Sequence, residues 1–482
     1  MYQIFPDRFN RVKNSQNANG KRLREDWGGM PEYKPNNNGK ILNNDFFGGN
    51  FKGITEKLEY LKSLNVTALY LNPVFEAQSN HRYDIGDYMK FDSLLGTEED
   101  FKKLINKAEN LGISIILDGV FNHTGDNSRY FNKYGKYDSV GAYQSEDSVY
   151  YSWYTFKNYP AAYECWWDID ILPSINKNSI SFQNFIAGDG GVIEKYLKMG
   201  VKGFRFDVID ELSENFIKKI RAKMRYENAE SLLIGEVWED ATYKIAYGKR
   251  RKYFFGDELD SVMNYPLKNA IINYILTGNQ NILATTVKEQ VNNYPKPALD
   301  SLMNILDTHD TPRILTVLGK NGNISNSKED MATENLTPEE LTLGIERLKA
   351  ATVVQFFLYG VPCIYYGDEA GTEGNKDPFN RKCFPWGNEN KVIFNWYKKI
   401  TSLRSDFKFL DNAETRIIKA ENGIFVFERT DGKSQLFVCL NFGFNNMILN
   451  FSSEVKNIMT DVKDCKFNLN IDSFEMFYDS NI

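Results

Sequence analysis

The sequence predicts an α/β protein: a (β/α)8 barrel with a subdomain inserted after the third strand and a C-terminal antiparallel β-sandwich. Three observations carry that expectation. Short apolar runs alternate with amphipathic helical segments from the start to about residue 407. There are eight such runs, and eight parallel strands is the number that closes a barrel. After about residue 410 the pattern changes to strands separated by turn signals such as Thr430-Asp431-Gly432, as in an antiparallel sandwich.

The first strand is YQIF, followed by a polar Asn/Gly/Lys-rich stretch, Arg11–Asn44, expected as a long mobile loop. ITEKLEYLKSLN reads as a helix leading into the buried strand VTALYLNP. The next helix opens at Thr97 with Asp100 three residues on, a capping-box spacing, and stops at Gly112. ISIILDGVFNH follows as the third strand. VKGFRFD, SLLIGEVW, SVMNYPL, LMNILDTHD and VPCIYYGDE supply the other five, with SENFIKKIRAKMRYENA and EELTLGIERLKAATVVQFFLYG among the intervening helices. Between the third strand and a helix near Gly190–Met199 lies a Tyr/Ser/Asn/Trp-rich stretch too long for an ordinary loop. The expected organisation is therefore residues 1–122 and 189–408 as barrel, 123–188 as the inserted subdomain, and 409–482 as the sandwich, in five strands from TRIIKAEN to FEMFYD.

Composition narrows the function. Among 482 residues, 58 Lys and Arg face 64 Asp and Glu, a net charge of −6. That balance argues against nucleic acid or an anionic membrane as partner, since both demand concentrated positive charge. Five cysteines show no metal-ligand spacing and fit free thiols in a reducing compartment. The opening MYQIFPDRFN has neither a basic leader nor an apolar run, and no stretch reaches about 18 apolar residues. A cytoplasmic location is the expectation.

Barrel chemistry sits at the C-terminal ends of the strands. Those ends read Asp118, Asn122 and His123; Arg205 and Asp207; Glu236 and Trp238; Asp307, His309 and Asp310. Arg205 and Asp207 are two apart in a strand and so share a face. A structural ion pair is the plain reading; the carboxylates nearby suggest more. A lone histidine is usually structural, but all three in the chain (His81, His123 and His309) fall at this rim. Asp207, Glu236 and Asp310 converge there without the HxH or HExxH spacing of a zinc site. Cleavage of a glycosidic bond needs one carboxylate as nucleophile or base and one carboxylic acid for the leaving oxygen. Arg205 would keep Asp207 ionised. Glu236, with no arginine beside it in IGEVWED, would stay available as the acid. Flat rings suit the faces of pyranoses, and Tyr83, Trp153, Tyr163, Trp166, Trp167 and Trp238 lie near the rim or in the insertion. Tyr83, Trp238 and one of Trp166 and Trp167, the latter preferred, are the candidates to touch sugar; the other rings are expected as core.

DGVFNH (118–123), GFRFDVIDE (203–211), EVWE (236–239) and LDTHD (306–310) resemble the four signature segments of the α-amylase family, glycoside hydrolase family 13. LPSIN (172–176) resembles its fifth segment in the form of the neopullulanase, cyclomaltodextrinase and maltogenic amylase branch, and GVPCIYYGDE its eighth strand. The resemblance runs from Tyr2 to about residue 405. It implies a retaining double displacement on α-1,4-glucans (maltooligosaccharides, cyclodextrins, pullulan or starch), with Asp207 as nucleophile and Glu236 as acid and base. It implies that Asp310 holds the 2- and 3-hydroxyls, that His123 and His309 contact hydroxyls, that Tyr83 stacks under the ring and that Trp238 borders the leaving group. His81 joins this substrate-binding set, and Asp377 and Arg381 of DPFNR would hold the next sugar. Asp210-Glu211 stands where many α-amylases have Lys-His, which favours small oligosaccharides. No cofactor is required; calcium is an option only, because FGGNFKG offers Asn50 where aspartate would bind better. Monomer and homodimer are both left open. The alternatives are α-1,6 cleavage of the pullulanase or oligo-1,6-glucosidase type, transfer to sugar acceptors, a non-catalytic sugar-binding homologue and a metal-dependent hydrolase.

Overall fold

The computed structural model describes residues 1–13, 21–37 and 39–479. These form two compact units, Met1–Val237 with Tyr243–Val262 and Arg381–Phe384, and Trp238–Thr242 with Met263–Asn380 and Pro385–Ile482.

In the first unit, strands β1 (Tyr2–Ile4), β2 (Ala68–Leu71), β3 (Ser114–Gly119), β4 (Gly203–Phe206), β5 (Leu232–Gly235) and β6 (Ser261–Val262) pair in chain order, all parallel. Almost every residue in them is buried, as expected when helices cover a parallel sheet. Register sets the site: Arg205 lies opposite Asp118 on β3 and opposite Ile234 on β5. The helix Glu98–Asn110 carries the capping box read from the sequence, with Thr97 and Asp100 bonded reciprocally. ITEKLEYLKSLN is not one helix but parts of two, Phe51–Glu56 and Leu58–Ser63.

Of the polar stretch Arg11–Asn44, residues 14–20 and 38 lie outside the described residues. The described part makes contacts with the rest of its unit. Arg22–Leu23 pairs with Asp45–Phe46, and Arg11 Nη1 donates to the carbonyls of Arg24 (2.6 Å) and Phe47 (3.2 Å). The stretch 123–188 has little regular structure and an aromatic core of its own. Phe131 packs edge-on against Tyr154 (4.8 Å) and Tyr163 (4.7 Å), and Trp153 lies 5.0 Å from Tyr130. Trp153 and Tyr163 are therefore core residues.

In the second unit, β7 (Met303–Asn304) pairs parallel with β8 (Val361–Pro362), and Met263 bridges to Met303. With these, eight strands follow the (β/α)8 order. SVMNYPL is a strand only at Ser261–Val262; its second half opens the helix Tyr265–Thr277 with Pro266 in the first turn, where proline's missing N–H costs nothing. The C-terminal strands β9 (Glu414–Glu421), β10 (Ile424–Thr430), β11 (Gln435–Asn441), β12 (Met447–Asn457), β13 (Lys463–Leu469) and β14 (Ser473–Asp479) form one antiparallel sheet, ordered β9-β10-β11-β14-β12-β13. Its core joins Ile424, Val426, Cys439, Leu449, Val455, Leu469 and Phe477. β13 is one strand more than the sequence suggested. It is an edge strand, largely exposed, so it lacks a long apolar run.

Candidate active site

The site grows from polar side chains that interrupt buried strands of the first unit. Arg205 on β4 is fully buried, and one guanidinium serves three carboxylates. Nη1 contacts Asp118 Oδ1 (3.0 Å) and Asp207 Oδ1 (3.1 Å); Nη2 contacts Glu236 Oε2 (2.9 Å). Asp118 is its neighbour across the ladder, Asp207 follows two residues later, and Glu236 follows the end of β5. The parallel ladder continues past the strand ends, with Asp207 N–H donating to Gly119 O (3.2 Å) and Glu236 N–H to Phe206 O (3.0 Å). Backbone hydrogen bonds thus set the spacing of the carboxylates.

One expectation is overturned here. The sequence reading left Glu236 without an arginine, because none is adjacent in IGEVWED. Register brings Arg205 alongside β5, and the same guanidinium reaches both acids.

Val208, just after Asp207, is left-handed (φ 39°, ψ 54°), a costly conformation for a β-branched residue. Its N–H donates to Glu236 Oε2 (2.8 Å), so the strained turn orients the second carboxyl. Behind Asp118 stands a hydrogen-bond relay. Tyr70 and Tyr83 hydroxyls donate to Asp118 Oδ2 (2.6 and 2.9 Å), Asn72 Nδ2 donates to both tyrosines (3.3 and 3.0 Å), and Gln3 Nε2 donates to Asn72 Oδ1 (3.0 Å). Burial pushes the Asp118 carboxyl above its ordinary range, and Arg205 and the two hydroxyls oppose it. The sequence reading missed Gln3, Tyr70 and Asn72. Tyr70 and Asn72 show the same signal that drew attention to Arg205 and Asp207, polar groups two apart in a buried strand.

His123 is buried and stacks on Trp166 (5.2 Å between centroids, 20° between planes). Burial pulls it down to about 3, so it is a neutral imidazole at ordinary pH. Asn122 Nδ2 lies 3.2 Å from Nδ1, and the Tyr83 backbone also bonds the ring. Trp167 stacks on Trp166 (5.3 Å) and is 77% exposed. Trp166, not Trp167, is the ring against a site residue. His81 Nδ1 lies 3.0 Å from Ser79 Oγ and accepts from Tyr83 N–H (3.1 Å), bracing the loop that carries Tyr83. Arg381 stacks on Phe5 (5.5 Å), and its carbonyl accepts from Arg8 Nη1 (2.8 Å).

In the second unit, His309 Nε2 lies 3.1 Å from Asp310 Oδ2, with His309 buried and Asp310 partly open to solvent. Asn380 Nδ2 donates to the carbonyls of His309 and Thr311 (2.8 and 2.9 Å), holding that loop. Asp307, also at the expected rim, is turned to structure: its Oδ2 accepts from Ile314 N–H (2.8 Å). Trp238 stacks flat on Tyr265 (3.9 Å, 13°). Asp377 is exposed, just before a cis proline.

Asn50, the residue that FGGNFKG offers at the calcium position the resemblance implies, is engaged within the protein. Its Oδ1 accepts from Gly53 N–H (2.8 Å) as a helix cap, and its Nδ2 donates to the carbonyls of Val12 (3.1 Å) and Gly48 (3.4 Å).

Comparison with known proteins follows the same lines. The family described as "Alpha amylase, catalytic domain" matches residues 3–429. An amylopullulanase of Thermoanaerobacterium saccharolyticum is 40% identical over 476 residues, which cover 89% of this chain and 36% of the relative. This chain spans 24–36% of the length of three such amylopullulanases. A cyclomaltodextrinase of Thermoanaerobacter pseudethanolicus is 31% identical over 97% of this chain and 74% of its own length. Among solved structures, the type III pullulan hydrolase from Thermococcus kodakarensis superposes with a TM-score of 0.82 at 26% identity, over 99% of this chain and 81% of that one. On this match, the chain belongs to the α-amylase family, glycoside hydrolase family 13.

Proposed function

We propose that this chain is a retaining glycoside hydrolase that cuts α-1,4-glucosidic bonds in maltooligosaccharides, cyclodextrins, pullulan or starch. The observation that carries this reading is the single buried guanidinium shared by Asp207 and Glu236. Held on two nitrogens of one arginine, the carboxyls suit the about 5–5.5 Å separation of a retaining pair better than the about 6.5–9.5 Å that admits a water.

Asp207, ionised against Arg205, attacks the anomeric carbon, and its oxygen replaces the glycosidic oxygen there. Glu236, protonated, gives its proton to that leaving oxygen. It then takes a proton from the water that displaces Asp207, which restores both groups. Asp118 accepts hydrogen bonds from Arg205, Tyr70 and Tyr83, an acceptor-only role that suits a carboxylate. His123, a neutral imidazole, keeps the hydroxyl-binding role that the family resemblance implies. Asp310 with His309 is assigned to the 2- and 3-hydroxyls, and Tyr83 and Trp166 to the sugar faces. Tyr83, His81, Trp238, Asp377 and Arg381 keep the binding roles that the family resemblance implies.

A second reading is α-1,6 cleavage, favoured by three amylopullulanase relatives at 38–40% identity. A product time course on maltotriose, β-cyclodextrin, pullulan and soluble starch, with the anomeric form of the first product followed by NMR, tests both. Retention, with activity abolished in Asp207→Asn and Glu236→Gln, is the expected result. An inverted product, or near-full activity in either variant, sinks the mechanism. Maltotriose as the pullulan product marks α-1,6 cleavage, and panose marks α-1,4.

A further inference from the structure

Asp210, shortly after the nucleophile, sits in a single tight turn. Glu211 N–H donates to Val208 O (2.9 Å) and Leu212 N–H to Ile209 O (3.1 Å), so residues 208–212 are tied into one piece. The turn begins at the left-handed Val208, whose N–H donates to Glu236 Oε2 (2.8 Å). A β-branched residue keeps that conformation only where its surroundings impose it.

Two features impose it. The first is a hairpin, Ile245–Ala246 with Lys249–Arg250, whose flanks grip the turn at Asp210 and Leu212. Tyr253, itself buried, donates its hydroxyl to Asp210 Oδ1 (2.5 Å), and Lys244 Nζ lies 3.2 Å from Asp210 Oδ2. Arg251 donates to the carbonyls of Leu212 (3.0 Å) and Asp210. Both carboxylate oxygens of Asp210 are engaged, so the side chain is a fixed post and not a freely solvated charge. The second feature is Gly235, the residue before Glu236. A Cβ there would lie 3.1 Å from Ile209 Cγ2 and 2.7 Å from Leu259 Cδ1, inside the about 3.5–4.0 Å at which carbon atoms pack. The bare backbone lets Ile209 of the turn and Leu259 close directly over the strand end that carries Glu236. Leu259 N–H in turn donates to Tyr253 O (2.9 Å), which joins the hairpin to the same contact.

We propose that Asp210 is a positioning residue for the acid: anchored by Tyr253 and Lys244, it holds the Val208 turn in the conformation whose N–H aims Glu236 at the leaving oxygen. This rests on the reading of Glu236 as that acid. The test compares phenyl α-maltoside, whose leaving group needs the proton, with 4-nitrophenyl α-maltoside, whose leaving group departs readily without it. The two rings occupy the same place, so a defect in binding them slows both alike. In Asp210→Ala the ratio of kcat/KM for the 4-nitrophenyl to the phenyl substrate is expected to rise about ten-fold, the size of one hydrogen bond to a charged group. Asp210→Asn, whose Oδ1 still accepts from Tyr253, is expected to raise it less. A ratio unmoved in Asp210→Ala, whatever the absolute rates do, overturns the proposal. If circular dichroism shows that variant unfolded, Tyr253→Phe is read in its place, and an unmoved ratio there overturns the proposal in the same way. Glu236→Gln separates the two readings. A ratio unmoved in Glu236→Gln refutes Glu236 as the acid, whereas a ratio raised in Glu236→Gln and unmoved in Asp210→Ala refutes only the positioning.

Discussion

Replacing Arg205 with glutamine removes one charge that three carboxylates share, and the consequence differs from that of an ordinary ion-pair deletion. The contacts are 2.9–3.1 Å long at a fully buried guanidinium. At an effective dielectric of about 20, charges about 4 Å apart attract by about 4 kcal/mol, and deleting one partner of a buried pair costs about 3–5 kcal/mol. If about 3 kcal/mol of that is felt in the transition state, kcat/KM falls about a hundredfold. The diagnostic is the pH profile. Losing the positive charge makes every carboxyl in the cluster harder to ionise. The acid limb, set by the group that must be charged, moves to higher pH. The alkaline limb, set by the group that must hold a proton, moves the same way. The assay is kcat/KM for maltotriose from pH 4 to 9, with circular dichroism to confirm folding. If only the acid limb moved, Arg205 would serve the nucleophile alone. If neither moved, Arg205 would be a scaffold residue and the shared-charge argument would be wrong.

Two further outcomes concern groups behind the site and away from it. Tyr70→Phe removes the hydroxyl 2.6 Å from Asp118, and unfolding free energy should fall by about 1.5–3 kcal/mol, as for a buried hydrogen bond to a charge; an unchanged urea midpoint would contradict the relay. Glu258 is buried with Oε1 lacking a partner among the described residues, and burial, with Glu214 nearby, lifts it from 4.5 to about 7. A raised carboxyl contributes stability that is full below pH 4.5 and lost as pH rises through about 7, at most about 3 kcal/mol. Glu258→Gln should therefore gain on wild type in urea midpoint between pH 5 and pH 8, and equal pH dependence in the two proteins would rule the effect out.

Much of this protein was readable before any coordinates. The eight β–α alternations, the capping box at Thr97 and Asp100 and the polar pair Arg205–Asp207 are all patterns with a local cause: a helical or strand period, a side chain bonded within one turn, two residues on one face. No helix among the described residues is long and apolar enough to cross a membrane, in keeping with the absence of a long apolar run. Less was readable where the cue was weak. β13 is half polar because it lies at an edge, and Trp153 and Trp166 look alike in a string although one is core and the other meets His123.

What sequence by itself determined was the inventory and its order: which carboxylates, histidines and rings stand at the ends of which strands, and the family they identify. Tertiary structure alone decided who shares a charge with whom. Glu236 has no basic neighbour along the chain, yet the register of β4 against β5 delivers Arg205 to it, and no local pattern records that register. Electrostatic interactions depend on distance through space, whereas sequence periodicity reports only distance along the chain.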